Sequence, residues 1–171
     1  MKIKIEKVQI TYHGKLVTAR KLIVTSEISI NIEDAWQIVQ TSKLLQFISI
    51  GKIKFKPINN SFPELWKQGD TVSTKMLLFG FVPFGGIHSL YFEKIDNHSK
   101  VLQTREKDNS AKVWDHKISL IELDEKKISY QDLIVIYGGV LTYIITLWAK
   151  SFYKHRQKRW QIVAKEPTIL K

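Results

Sequence analysis

The chain has 171 residues, 44% hydrophobic and 25% charged, with a formal net charge of +11 from 27 basic and 16 acidic residues. This length supports one domain with a genuine core. The absence of cysteine excludes a disulfide framework, thiolate metal sites and cysteine nucleophiles.

Of the basic residues 23 are lysine and 4 arginine, spread along the whole chain. Phosphate and base readers concentrate arginine in a patch, so this excess reads as a solvated lysine surface and no nucleic-acid partner is expected. The opening MKIKIEKVQI alternates charge with isoleucine, unlike a signal or transit peptide, which makes the cytoplasm the expected location. The longest charge-free run, Leu133 to Ala149, holds Gly138-Gly139 within its 17 residues. A spanning helix needs about 20 uninterrupted apolar residues. A strand joined to a helix suits this run better, so stable membrane insertion is not expected, and any membrane contact would be peripheral.

In chain order, residues 2–12 and 16–30 are alternating runs around a His13-Gly14 hairpin turn, which makes residues 1–16 an extra N-terminal strand or hairpin arm. Leu22, Val24, Ile28 and Ile30 share one face of the second run, as in a half-buried strand. Asn31 can cap a short helix with Ala35, Trp36 and Val39 inward, and Ser42 to Ile48 reads as a second. From Gly51 the period becomes 2, and strands are predicted over 51–58, 70–79, 86–95, 100–107, 112–123 and 127–137. Turn residues separate them at Asn59-Asn60-Ser61, Gln68-Gly69-Asp70, Gly80 to Gly86, Asp96-Asn97-His98 and Asp124-Glu125-Lys126. Such short connections imply an antiparallel, curved sheet in meander order.

From Gly138 to Glu166 no proline intervenes, and Pro167 stops the run. One long C-terminal helix over 138–166 follows, spanning roughly 40 Å. At 100° per residue Leu141, Ile144, Ile145, Trp148, Phe152, Ile162 and Val163 fall on one stripe, and Lys150, Lys154, Lys158 and Lys165 on another. His155 and Arg159 lie in the middle of the apolar stripe.

Two more polar residues occupy apolar registers. Asp132 shares a strand face with Ile128, Tyr130, Ile134 and Ile136, and His116 shares one with Trp114, Ile118 and Leu120. Pairing these strands about the 124–126 turn sets Asp132 across from Ile118 and His116 across from Ile134. His116 and Asp132 are then diagonal neighbours, roughly 7–8 Å apart at Cα. A buried carboxylate is costly unless paired, so Asp132 is expected to pair with Arg159 or a histidine. Metal binding by His116, His155 and Asp132 is conceivable by ligand type, but no dense spacing supports it and no metal is expected.

Strand, two short helices, six strands and a long helix is an order that resembles the START-like, polyketide-cyclase-like superfamily (SRPBCC), also called the helix-grip fold. Ile30-Asn-Ile-Glu-Asp-Ala-Trp36 resembles its strand-into-helix signature. Gln68-Gly69-Asp70-x-Val72, followed by Leu78-Phe79-Gly80-Phe81-Val82-Pro83, resembles its third strand and following turn. Trp114-Asp115-His116 with Asp132, and Phe152-Tyr153-x-His155-Arg156-Gln157-x-Arg159-Trp160, are similar to patterns of one bacterial branch. The resemblance covers nearly all the chain beyond residue 17. It implies an α+β fold in a single domain of residues 1–171: a curved antiparallel sheet wrapped around the long C-terminal helix, with two short helices after the first long strand.

The resemblance further implies a cavity between helix and sheet for an apolar or amphipathic small molecule such as a lipid, quinone or polyketide. Candidate ligand-binding residues are Trp66, Phe81, Phe84, Tyr91, Trp114, His116, Tyr130, Asp132, Tyr143, Trp148, His155 and Arg159. The apolar segment Gly80 to Gly86 is either a lid over the cavity or a tight turn tucked under the helix end. No cofactor is expected, and no linear catalytic motif such as His-Glu-x-x-His, Gly-x-Ser-x-Gly or a P-loop occurs. Two alternatives remain: a cyclase or aromatase with His116 as base and Asp132 orienting it, and a basic-surface binder of anionic lipid or nucleic acid.

Overall fold

A computed structural model of the chain describes residues 1–59 and 61–170. The turn expected at Asn59-Asn60-Ser61 includes Asn60, which lies outside the described residues. The N-terminal alternating runs form β1 (Lys2–Tyr12) and β2 (Lys15–Ile28), paired along their length with Tyr12 opposite Lys15. His13 and Gly14 join them at φ 47° and 72°. A two-residue turn with positive φ matches strand twist, and glycine meets that requirement without a Cβ clash.

Helix α1 (Ile32–Val39) begins where the Asn31 side chain accepts the Glu33 N–H at 2.8 Å, and it buries Ala35, Trp36 and Val39. Helix α2 (Ser42–Ser49) is capped by the Thr41 hydroxyl, which accepts the Leu44 N–H. Six strands follow: β3 (Ile53–Pro57), β4 (Thr71–Leu78), β5 (Val82–Asp96), β6 (Val101–Lys107), β7 (Val113–Asp124) and β8 (Lys127–Tyr137). With the first two they make one antiparallel sheet in the order β1-β2-β8-β7-β6-β5-β4-β3. The meander is the expected one, and β2 lies beside the last strand. Strand twist curves the sheet, and the long helix α3 (Thr142–Lys165) lies against it, touching β2, β8 and α2. This is the α+β helix-grip architecture. Among the described residues no helix is long and apolar enough to cross a membrane.

Three details differ from the sequence-based expectations. Helix α3 begins at Thr142 rather than Gly138, after a 3-10 turn over Gly139–Leu141. Gly139 has φ 63°, and the Thr142 hydroxyl accepts the Gly138 N–H and donates to the Gly139 carbonyl, which fixes the break there. Gly80 to Gly86 is a tight turn and the start of β5, because Val82 already pairs with Leu78. Gly85 and Gly86, at φ 69° and 71°, form a bulge in that strand. A Cβ on Gly85 would lie 2.8 Å from Asp108 Oδ2, so this glycine admits the β6–β7 turn and its carboxylate.

The third difference is the buried face of α3. It consists of Thr142, Thr146, Ala149, Phe152, Tyr153, Arg156, Gln157, Trp160 and Val163, whereas Ile144 and Ile162 are exposed. The first half of the helix is apolar on most sides, so periodicity fixes its orientation weakly. The expected lysine face is exposed at Lys150, Lys154, Lys158 and Lys165.

The buried apolar side chains divide into two groups. One gathers Trp36, Ile48, Phe92, Ile118, Tyr130 and Trp160 under α1, α2 and the end of α3. The other gathers Leu22, Val24, Trp114, Ile134, Phe152 and Tyr153 under the first half of α3. On β8, Asp132 sits between Tyr130 of the first and Ile134 of the second. His116 sits likewise between Ile118 and Trp114 on β7. On α3, Arg156 and Gln157 fall between Tyr153 and Trp160. A polar belt therefore crosses the core.

Candidate functional site

Strand register builds the belt. β7 and β8 pair with Ile118 opposite Asp132 and His116 opposite Ile134, and β6 pairs with β7 so that Thr104 faces His116. His116 Nε2 donates to Asp132 Oδ1 at 2.8 Å. Asp132, fully buried, also accepts from the Tyr130 hydroxyl at 3.3 Å and, at Oδ2, from Gln157 Nε2 at 2.9 Å. On the other side His116 Nδ1 stands 3.8 Å from Glu106 Oε1, which accepts the Thr104 hydroxyl. Glu106 Oε2 lies 2.9 Å from His88 Nε2, and His88 Nδ1 lies 3.0 Å from Asp108 Oδ2. Five groups thus alternate carboxylate and imidazole, from Asp108 through His88, Glu106 and His116 to Asp132.

The charges follow from this alternation. Both His88 nitrogens face carboxylate oxygens, which only accept, so both must donate and the ring is an imidazolium. Burial lowers the His88 pKa, but the bonds to Asp108 and Glu106 outweigh it and raise it to about 9. For His116, burial again opposes the charge and the neighbouring Asp132 and Glu106 override it, raising the pKa. Burial raises the Glu106 and Asp132 carboxyls, yet the cationic neighbours hold both below the ordinary carboxylate range. Glu106 responds to His116 and His88, and Asp132 to His116, Arg156 and Gln157.

Above the belt a cavity of about 280 Å³ lies between the sheet and α3. Its apolar wall includes Leu44, Ile48, Trp66, Leu90, Phe92, Trp114, Ile118, Trp148 and Phe152, and His88, Glu106, Asp108, His116 and Arg156 are its charged wall. The exposed residues Leu141 and Ile144 also border it, so it reaches the surface beside the start of α3.

Of the residues singled out from the sequence, Trp66, Phe84, Trp114, His116 and Trp148 border this cavity. Asp132 lies behind His116 and Tyr130 behind Trp160, both fully buried and off the cavity. Phe81, Tyr91 and Tyr143 do not reach it. Phe81 sits at the tip of the β4–β5 turn, Tyr91 is on the outer face of β5, and Tyr143 lies under Arg20. His155 and Arg159 do not meet Asp132. His155 Nε2 bonds the Ile50 carbonyl at 2.8 Å, and Arg159 Nε donates to the Phe47 carbonyl at 2.7 Å. Those carbonyls lie at the C-terminal end of α2, where the Ile50 carbonyl is past the last helical turn and the Phe47 carbonyl takes only the Ile50 N–H at 3.3 Å, so side-chain donors from the neighbouring helix complete them. The partner expected of Asp132 is therefore a histidine, His116, and not Arg159.

Sequence reading missed His88, Glu106, Tyr153 and Arg156. The first two were signalled by strand alternation, His88-x-Leu90-x-Phe92 and Leu102-x-Thr104-x-Glu106, where a polar residue continues an inward face. Phe152, Arg156, Trp160 and Val163 follow helical spacing in the same way.

No family model matches the sequence, and no curated protein does either. The fold has solved counterparts. A START superfamily protein from Mycobacterium smegmatis matches 85% of this chain and 97% of its own, at 14% identity and a TM-score of 0.60. The chain has the START-like, helix-grip fold. Norcoclaurine synthase from Thalictrum flavum, in complex with dopamine and hydroxybenzaldehyde, shares this START-like fold at a TM-score of 0.61, with 12% identity over 86% of this chain and 87% of its own. The Zhui aromatase/cyclase from Streptomyces sp. R1128 shares it at 0.53, with 10% identity over 85% and 91%.

Proposed function

We propose that the chain binds an apolar or amphipathic small molecule, of the lipid, quinone or polyketide kind, between α3 and the sheet. The observation that carries this reading is the apolar cavity of about 280 Å³ with its charged wall confined to one belt. Few convergent polar groups in a mostly apolar pocket are the usual make-up of a small-molecule site. An apolar cavity of about 150 Å³ takes benzene, so this one suits a molecule of about two fused rings. Norcoclaurine synthase, with its two bound aromatic compounds, gives the reading a precedent within the fold.

The cyclase or aromatase alternative is less well supported. With Nε2 bonded to Asp132 Oδ1 at 2.8 Å and Nδ1 3.8 Å from Glu106 Oε1, both His116 nitrogens face carboxylates rather than a substrate. Ile118→Trp would fill the cavity from the sheet side. The hydrocarbon 2-isopropenylnaphthalene should bind the native protein in equilibrium dialysis and fail to bind this variant, which should remain folded by circular dichroism. Equal uptake by both proteins would sink the reading.

A further inference from the structure

Of the charged side chains bordering the cavity, Arg156 differs from the rest. It is 6% exposed, yet among the described residues its guanidinium makes no hydrogen bond and no ion pair within 4.0 Å. Its Nε is buried without a partner, and Cζ lies 4.9 Å from the centre of the Tyr153 ring. Arg159, three residues on, donates to a backbone carbonyl at 2.7 Å. A buried donor without an acceptor loses its hydration with no bond in return, a loss that is greater for a charged group.

The acceptors that share the cavity wall with it are already engaged. Glu106 is held by His88 and Thr104, and Asp108 by His88 and the Ser110 and Ala111 N–H groups. Tyr153 accepts from Trp114 Nε1 at 3.2 Å. The wall therefore offers donors to a ligand and asks it for an acceptor.

Charge balance decides which acceptor. Asp108, Glu106 and Asp132 contribute three negative charges, and His88 and Arg156 two positive ones. With His116 charged the sum is zero, and with His116 neutral it is −1. In neither state is there a positive excess for an anion to neutralise. A carboxylate would lose its hydration and bring a fourth negative charge beside Glu106, whereas a carbonyl oxygen keeps the balance and still receives a charge-assisted bond.

We propose that the ligand is an uncharged apolar molecule whose polar end is a carbonyl oxygen, as in a ketone, quinone or ester, and that Arg156 donates to that oxygen. This rests on the cavity-binding reading above and names its ligand class. Three probes of one shape separate the possibilities at pH 7: 2-acetylnaphthalene, 2-naphthoate and 2-isopropenylnaphthalene. In equilibrium dialysis the ketone should bind about tenfold tighter than the hydrocarbon, as one hydrogen bond to a charged donor provides. It should also bind tighter than the carboxylate. In Arg156→Met the advantage of the ketone over the hydrocarbon should vanish while hydrocarbon binding persists. If that variant does not fold, the three affinities of the native protein still decide. Tightest binding of 2-naphthoate, or equal binding of ketone and hydrocarbon, overturns the inference and leaves the cavity reading standing. Binding of none of the three overturns both.

Discussion

Helix α3 carries basic residues into two regions that treat them differently. Along the seam with α2, His155 and Arg159 meet fixed backbone carbonyls, and the Arg159 guanidinium also covers the Phe47 ring at 4.2 Å. One turn away, in the belt against the sheet, Arg156 is more deeply buried and holds no direct partner among the described residues. In the seam each residue bonds a fixed carbonyl of α2, so those residues fasten helix to helix. In the belt, carboxylates and histidines satisfy one another and leave one cation facing a cavity. The same residue type is thus structural where its acceptor is fixed and available for recognition where it is not.

The sharpest way to break the comparison is to remove the anchor of the belt. Asp132→Ala leaves His116, Gln157 and the nearby Arg156 without their shared anion, and should destabilise the protein by about 3–5 kcal/mol in chemical denaturation. A loss below about 0.5 kcal/mol would mean that the belt holds nothing together.

Next in size is the pH response of His88. Its folded-state pKa, about 9, lies above the ordinary 6.5, so protonation of this ring favours the folded chain. That stabilisation is complete below pH 6.5 and is lost as pH rises through about 9, a change on the order of 3 kcal/mol. The melting temperature should fall across this window, and His88→Gln should flatten the fall. A native protein equally stable at both ends would remove the imidazolium from the belt. The depressed carboxyls act with the opposite sign. Asp108, Glu106 and Asp132 contribute stability above their ordinary range near pH 4, and it is lost as pH falls below that.

The seam should give the smallest effect. Arg159→Met loses one charge-assisted bond and a ring contact, for about 1–2 kcal/mol by thermal denaturation. Uptake of 2-acetylnaphthalene should be unchanged. A loss of uptake as large as in Arg156→Met would erase the distinction between the two regions.

Much of the belt was legible in the sequence. Period-2 alternation places His116 and Asp132 on inward faces, and the short turn at Asp124 to Lys126 leaves little freedom of register, so their neighbourhood follows from counting. His88 and Glu106 obeyed the same rule on β5 and β6. Reading them required knowing that those strands turn their polar residues toward the same belt, which the bulges at Gly85-Gly86 and Phe92–Lys94 obscure.

By itself the sequence determined the order of elements, the helix cap at Asn31, the His13-Gly14 turn and the pairing of β7 with β8. All of these depend on neighbours a few residues away along the chain, or on strands joined by a short turn. Only the tertiary structure decided which face of α3 is buried, that Arg156 rather than Arg159 borders the cavity, and that five ionisable groups join in one line. The Arg159–Phe47 contact spans 112 residues and Gln157–Val24 spans 133. Where a helix is apolar on most sides, its orientation is set by such distant acceptors and by the curvature of the sheet, neither of which a local pattern encodes.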